Sequence, residues 1–411
     1  MPFHRKWYVF GLTWLSYAAY YLTRKNFSIV KSRLHEELGV SISWLAAADT
    51  AYLSLYALGQ FINGPLGDRF GAKRLLVFGM FGCALLSMVF GFATSALAFA
   101  HLFGLQGFFQ STGWSNNVKA ITPWFGDGVR GRIMGFWSTN YQVGGLVASA
   151  LAAFLLAHYG WRSAFFAPAV AVFLVGLALL FFLPSPEAES DHVRQKNKLN
   201  APSVWRNPHV WVLGLAYFCL KLIRYSLLFW LPFYLHRQLG LGEESSGYLS
   251  IVIEVGGIVG AIITGMLADK FLATKRSYLV APLFFGLSIS LLVYQMIGVD
   301  NIFFNAIAMS VVGFFIYGPD TLISGACSQD LGGENRTASV AGAINGIGSI
   351  GAIMQGVVTA YVSETWGWQA LFTAFTLLAL VAGVLVALSQ SFIARDAAKW
   401  RQFDNPLTSD K

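Results

Sequence analysis

Gly64-Pro65-Leu66-Gly67-Asp68-Arg69-Phe70-Gly71-Ala72-Lys73-Arg74 closes one long apolar run, and Gly265-Met266-Leu267-Ala268-Asp269-Lys270 closes another 201 residues later. A basic pair follows each, Lys73-Arg74 and then Lys275-Arg276 with a one-residue slip. Further landmarks recur at nearly the same interval: Arg24 and Arg224 lie 200 apart, Phe108-Phe109 and Phe314-Phe315 206 apart, and Gly160-Trp161 and Gly367-Trp368 207 apart. One interval shared by four landmarks reads as two homologous halves of the chain.

Composition says what those halves are made of. Of 411 residues, 56% are apolar and only 12% charged, where soluble domains carry about a quarter charged residues. Most soluble enzymes are thereby excluded, and no enzymatic activity is expected. The 28 Lys and Arg exceed the 20 Asp and Glu, but apolar runs separate the basic clusters. That pattern fits a lipid bilayer with basic cytoplasmic loops, and not a nucleic-acid partner. Cys83, Cys219 and Cys327 lie inside apolar runs, and the seven histidines contain no pair at helical ligand spacing. No metal and no cofactor is expected.

A transmembrane helix needs roughly 20 apolar residues. Twelve runs qualify, near 7–30, 43–63, 75–94, 97–124, 132–157, 161–183, 209–236, 246–268, 277–298, 301–327, 337–362 and 367–390. The fold class is therefore an all-α membrane protein, twelve transmembrane helices in two pseudo-symmetric six-helix bundles. The bundles are expected over 1–183 and 209–411, the latter with a short cytoplasmic tail, and the polar interval 184–208 between them reads as a cytoplasmic linker. Nineteen Lys and Arg fall on the side of the termini and linker, against Lys31, Arg33, Arg162 and Arg237 on the other, so both termini are expected in the cytoplasm.

Five basic residues, Arg24, Lys25, Lys119, Lys221 and Arg224, fall inside the spans with three acids, Asp49, Glu254 and Asp320. A basic side chain at mid-bilayer costs about 2.5–3.5 kcal/mol on insertion scales, so it faces a polar interior. The formal excess of two positive charges calls for an anion. Guanidinium forks suit phosphate oxygens; the alternative is that each arginine pairs with an acid, Arg24 with Asp49 or Arg224 with Asp320. Tyr17, Tyr21 and Arg24 share one stripe at i, i+4 and i+7, and Lys221 and Arg224 share a face at i, i+3. Lys25 points about 100° from Arg24. Glu254 reads as a buried acid near the second half's loop motif, and Asp320 as the acid that reads substrate hydroxyls or neutralises Lys221.

The motif at Gly64–Arg74 resembles the loop signature of the major facilitator superfamily, with a degenerate copy in the second half. Its glycine is expected to allow a tight cytoplasmic turn, and Asp68, with Arg69 and the repeated Asp269, to form a latch made in one conformation and broken in another. Asp68 can accept from basic groups or from a helix N-terminus. Tyr17-Ala18-Ala19-Tyr20-Tyr21-Leu22-Thr23-Arg24-Lys25-Asn26-Phe27 resembles the first helix of the organophosphate:phosphate antiporters, and matches at Gly107–Gln110, Gly113-Trp114, Val143–Gly145, Arg224-Tyr225 and Tyr317-Gly318-Pro319 extend the likeness. The resemblance implies that Arg24 and Arg224 clasp phosphate and that Tyr17, Tyr21, Tyr56, Trp114 and Tyr317 line the site. Lys25, Lys119, Tyr141, Lys221 and Asp320 complete the candidate substrate contacts.

Departures accompany the likeness. Tyr141 replaces a histidine of the glycerol-phosphate type, Phe229 an aspartate, Gln60 a lysine, Ser349 a tyrosine and Lys119 an arginine. The seventh span, from Lys221 to Tyr234, is similar to that of the eukaryotic sugar-phosphate exchangers. The implied function is exchange of an organic phosphate, of the sugar phosphate, glycerol phosphate or phosphoglycerate class, for inorganic phosphate by alternating access. A monomer is expected, in a bacterial inner membrane or alternatively the endoplasmic reticulum. Two other readings stay open: a membrane sensor of an external sugar phosphate, and a proton-coupled carrier of another organic anion.

Overall fold

The computed structural model describes residues 3–184, 203–239, 243–272, 275–297 and 302–404. Most of the expected linker at 184–208, and the end of the C-terminal tail, lie outside them. Thirteen helices are used below: α1 Phe3–Leu38, α2 Ile42–Phe70, α3 Ala72–Phe92, α4 Ala96–Gln110, α5 Thr112–Ile121, α6 Arg130–Trp137, α7 Thr139–Tyr159, α8 Ser163–Phe182, α9 Pro208–Leu239, α10 Glu243–Leu272, α11 Ser277–Ile297, α12 Ile302–Thr321 and α13 Cys327–Asp404. Each of the twelve expected spans falls on helix among the described residues. Seven stretches there are long and apolar enough to cross a membrane, and the last, Ile302–Gln390, is 89 residues long. It holds three spans, because α13 is broken at Gly333 and Gly367, whose φ values of 53° and 85° only glycine adopts without strain.

Several expected boundaries shift for local reasons. The first span continues to Leu38 as helix, so Lys31 and Arg33 lie on α1 and not in a loop, and Arg33 reaches Glu36 at 3.7 Å, one turn on. Gly64 is not a turn residue: α2 runs through Pro65 to Phe70, and the turn is made by Gly71 at φ 94°. The fourth span is two helices, interrupted at Ser111, whose hydroxyl donates to the Phe108 carbonyl at 2.6 Å. The tenth carries a π-turn at Leu322–Ala326 just after Pro319, a residue with no N–H to give the ladder.

The contacts sort the chain into two compact units. Unit 1 holds the residues up to Gly126, those from Trp137 to the end of α8, and the segment Glu334–Gly346. Unit 2 holds Asp127–Phe136, α9 to α12, the first turn of α13 to Gly333, and α13 from Ile347 on. In unit 1, α2 packs on α4, α1 on α7 and α3 on α8; in unit 2, α10 packs on α12 in the place of α2 on α4. The close approach is set by glycine. A side chain at Gly107 would strike the carbonyl of Tyr52, and one at Gly313 the carbonyl of Ile253. Those partners lie 206 and 201 residues apart, so the duplication read from sequence extends to single backbone contacts. Away from Arg24, unit 1 is filled by stacked aromatics: Phe90 on Phe165 at 4.3 Å and on Phe99 at 4.9 Å, with Phe27 beside Phe103 at 4.4 Å.

Gly107→Val and Gly313→Val should each lower the melting temperature of the purified protein in detergent, since overpacking a tight helix contact costs about 1–3 kcal/mol. Gly356→Ala, where an added Cβ meets nothing within 4 Å, should leave it unchanged or slightly higher.

Candidate functional site

The stripe on α1 faces the interior of unit 1, and Arg24 is its centre. The residue as a whole is half-buried. Its Nε donates to Gln110 Oε1 at 2.8 Å, and the same oxygen accepts from Tyr52 Oη at 2.7 Å. Gln110 is oriented from its other end, where Nε2 donates to Thr23 Oγ1 at 3.2 Å. Three phenol rings face the cation, Tyr21 at 4.6 Å, Tyr56 at 5.2 Å and Tyr52 at 5.8 Å from Cζ. Arg24 Nη2 is buried with no hydrogen-bond partner, and among the described residues no carboxylate pairs with this arginine. Asp49, its possible sequence partner, is instead ion-paired with Lys31.

The remaining aromatic candidates of unit 1 join on to this cage. Tyr17 packs edge-on against Trp114 at 5.1 Å and Tyr21 at 6.0 Å, and Trp114 lies 6.1 Å from Tyr141. Fully buried Trp137 sits behind them, 5.3 Å from Trp114, and donates Nε1 to Thr13 Oγ1 at 3.1 Å. Lys25 follows Tyr21 one turn on and runs past α7, its Cε 3.9 Å from where a Cβ on Gly145 would stand.

Unit 2 treats its arginine differently. Arg224 Nη1 contacts Asp320 Oδ1 at 3.0 Å, and the carboxylate is only 1% exposed. Tyr217 Oη donates to the same oxygen at 3.0 Å. The ring of Tyr317 lies 4.4 Å from the guanidinium, and its hydroxyl donates to Glu254 Oε1 at 2.6 Å. Lys221 donates to Ser349 Oγ at 3.1 Å and lies 4.8 Å from the Tyr217 ring. Glu254 is therefore not beside the second loop motif. Fifteen residues of α10 separate it from Asp269, about 22 Å at 1.5 Å per residue.

The loop acids each accept from backbone N–H groups of a helix in their own unit. In unit 1, Asp68 Oδ2 accepts from Ser339 N at 2.7 Å and Oδ1 from Ala338 N at 3.3 Å, six and five residues beyond the Gly333 break in α13. Lys119 meets Asp68 at 2.8 Å and donates to the Gly67 carbonyl at 3.1 Å, so its partners lie at this acid. Gly64 lets the helices touch, since a Cβ there would come within 2.5 Å of Ala338 O. In unit 2, Asp269 accepts from Gly131 N at 2.8 Å and Arg132 N at 2.6 Å. Asp269 follows Asp68 by 201 residues, and Ala338-Ser339 follow Gly131-Arg132 by 207. In unit 2 a network surrounds this acid: fully buried Arg276 bonds Asp269 at 2.9 Å, Asp330 at 2.8 Å and the Asp127 carbonyl, while Arg130 bridges Asp127 at 3.0 Å and Asp330 at 3.3 Å. Burial disfavours the Arg276 charge, but Asp330 and Asp269 outweigh it and hold the guanidinium above its ordinary range. Arg69 is exposed over the Phe70 ring at 5.2 Å.

Tyr52, Gln110 and Tyr217 were missing from the sequence expectation, yet each carried a signal. Tyr52 precedes Tyr56 by one turn, and Gln110 ends a quoted motif. Tyr217, Lys221 and Arg224 repeat the stripe Tyr17, Tyr21 and Arg24 at an offset of 200. No cluster able to hold a metal ion occurs among the described residues. Chemically the site offers cations, phenols and amides, the equipment for holding an anion.

Residues 13–356 match the Major Facilitator Superfamily. The chain is 33% identical to human sugar phosphate exchanger 3, over 91% of this chain and 90% of that protein. It is also 33% identical to a protein of Arabidopsis thaliana named for glycerol-3-phosphate transport, over 92% of this chain and 85% of the other. Among solved structures it is similar in fold to the human organic anion transporter MFSD10, with TM-score 0.75 at 16% identity over 94% and 100% of the two chains. The Escherichia coli fucose:proton symporter gives 0.74 at 14% identity over 93% and 99%.

Asp68→Asn removes a charge-assisted contact worth roughly 1.5–3 kcal/mol to whichever state contains it. Labelling of single cysteines placed on the two sides of the membrane should then change in opposite directions. Unchanged labelling on both sides would sink the idea that the contact is state-specific.

Proposed function

The chain belongs to the Major Facilitator Superfamily, and on that footing we propose that it is a secondary transporter, not an enzyme, exchanging an organic phosphate for inorganic phosphate by alternating access. The observation that carries this reading is Arg24: a guanidinium in a membrane-embedded helix, ringed by three phenols, with a buried nitrogen that has no partner. A cation so placed is costly unless an anion joins it. A phosphate oxygen meets the need, because the planar fork gives paired, charge-assisted bonds. The relatives named for sugar phosphate and glycerol-3-phosphate support the phosphate class.

In this reading Arg24 and Arg224 both engage phosphate. Tyr17, Tyr21, Tyr56, Trp114, Tyr141 and Tyr317 shape the site, with Lys25 and Lys221 adding positive potential. Asp68 and Asp269 serve as latches, Lys119 acting through Asp68. The two six-helix halves move as bundles joined by the 184–208 linker, and the distribution of basic residues supports cytoplasmic termini for a monomer in a bacterial plasma membrane.

Exchange follows from the same charge. Closing the site without an anion leaves Arg24 uncompensated in poorly solvated space, whereas a bound phosphate removes that cost from either side. Labelled phosphate should therefore leave proteoliposomes slowly into plain buffer and fast into external phosphate or a phosphorylated metabolite. Equal rates into buffer and phosphate would indicate a uniporter, and specific binding of sugar phosphate without flux would indicate a sensor. Arg24→Lys and Arg224→Lys should each abolish exchange at normal expression, because an ammonium keeps the charge but loses the fork.

A further inference from the structure

Building on the phosphate-carrier reading, we propose that Gln110 is the positioning residue that makes transport an obligatory exchange: its amide fixes Arg24 for the anion through an oxygen with no net charge, so the guanidinium is neutralised only when phosphate is bound. All the residues concerned lie in unit 1. Gln110, Thr23 and Tyr52 are buried. Gln110 Nε2 donates to Thr23 Oγ1 at 3.2 Å, and that hydroxyl donates onward to the Tyr20 carbonyl at 3.3 Å. A hydroxyl whose proton is committed to a carbonyl can only accept at Gln110. The amide nitrogen therefore faces Thr23, and the amide oxygen faces Arg24. One turn earlier on α4, Gln106 Nε2 donates to the Thr23 carbonyl at 3.5 Å. Gly107 brings the same stretch of α4 against the Tyr52 backbone, and Tyr52 Oη gives its proton to Gln110 Oε1 at 2.7 Å. The oxygen that receives Arg24 Nε at 2.8 Å is thus held from α1, α2 and α4.

That oxygen satisfies one N–H of the guanidinium and leaves the positive charge standing. Arg24 Nη2 stays buried with no hydrogen-bond partner, and Tyr21, Tyr52 and Tyr56 offer ring faces, not charge. A carboxylate has nearly the shape of the amide, and in the same place it would form an internal ion pair with Arg24. Such a pair would do in the empty carrier what phosphate does in the loaded one. Phosphate would then have to displace a built-in competitor, and the empty carrier would lose the electrostatic penalty that slows its crossing. Shape and hydrogen bonding alone predict neither effect. A glutamate still accepts from Arg24 and Tyr52 and, with the hydroxyl turned round, from Thr23.

The test uses the full chain in proteoliposomes loaded with labelled inorganic phosphate well above half-saturation. No phosphate flux in the wild type would overturn the carrier reading itself, and equal wild-type efflux into buffer and into phosphate would overturn the exchange on which the proposal rests. Where wild-type efflux is at least about tenfold faster into phosphate than into buffer, Gln110→Glu should bring the two rates within about twofold and raise half-saturating phosphate at least about thirtyfold. Gln110→Met, uncharged and similar in length, should keep efflux at least about fivefold faster into phosphate and raise half-saturation by about three- to tenfold, because only the preorganisation of Arg24 is lost. A folded Gln110→Glu protein with the wild-type efflux ratio overturns the proposal while leaving the carrier reading intact. So does a Gln110→Met protein whose ratio collapses as that of Gln110→Glu does, since Gln110 would then be a packing residue. If Gln110→Glu folds but carries no phosphate, the rise in melting temperature on adding phosphate in detergent is read instead. It should be less than about a third of the wild-type rise, and an undiminished rise overturns the proposal. If Gln110→Glu does not fold, Gln110→Met decides alone: wild-type half-saturation, or a collapsed efflux ratio, overturns the proposal.

Discussion

A guanidinium inside a lipid-embedded bundle has few tolerable surroundings, and Arg24 shows which of them this chain uses. A carboxylate partner would have cancelled the charge and with it the attraction for an anion. The sequence instead supplies neutral groups that stabilise a cation without neutralising it. Tyr21, Tyr52 and Tyr56 present ring faces, and Gln110 presents a carbonyl oxygen that Tyr52 also engages. Much of unit 1 follows from that arrangement. The α1 stripe, the tyrosines of α2 and the end of α4 must converge on one point, which requires α2 and α4 to lie close enough for Gly107 to touch the Tyr52 backbone. Ring packing from Tyr21 through Tyr17 and Trp114 to Tyr141 extends the aromatic lining away from the guanidinium.

Unit 2 repeats the scaffold but changes the chemistry. Where unit 1 has Tyr21, unit 2 has Lys221, and its arginine is held by Asp320 at the Pro319 and π-turn irregularity of α12. A proline that gives no N–H to the ladder and a π-turn both disturb regular helix, and here they place an acid and two backbone-bonding serines together. Ser324 bonds the Asp320 carbonyl, and Ser328 bonds the Ile323 carbonyl at 2.9 Å. Duplication thus preserved the geometry of backbone approach while the partners of the two arginines diverged, an amide oxygen for Arg24 and a carboxylate for Arg224.

The two loop acids obey one rule with unequal reinforcement. Each carboxylate accepts from two consecutive backbone N–H groups, Asp269 in the first turn of α6, where unsatisfied donors and the helix dipole favour negative charge, and Asp68 a few residues beyond the Gly333 break in α13. Asp68 has Lys119 beside it, whereas Asp269 belongs to a network with Arg276, Asp330 and Arg130. Buried guanidinium and carboxylate groups in such a network are costly to separate.

Periodicity and the offset near 200 determined most of the architecture: twelve helical spans, the pairing of equivalent landmarks, and the arginines and aromatics as candidates. These were legible because a span must be apolar over its whole length, and because a charge inside one stands out against that background. Partner choice was not legible. Nothing in the spacing of Arg24, Asp49, Arg224 and Asp320 says that the first arginine faces phenols and an amide while the second faces a carboxylate. Nor does it say that Lys119 turns to Asp68, or that Glu254 reaches Tyr317 and lies far along α10 from Asp269. Those outcomes depend on helix rotation and on contacts between residues as distant in sequence as Asp68 and Ser339, which only the folded chain brings together.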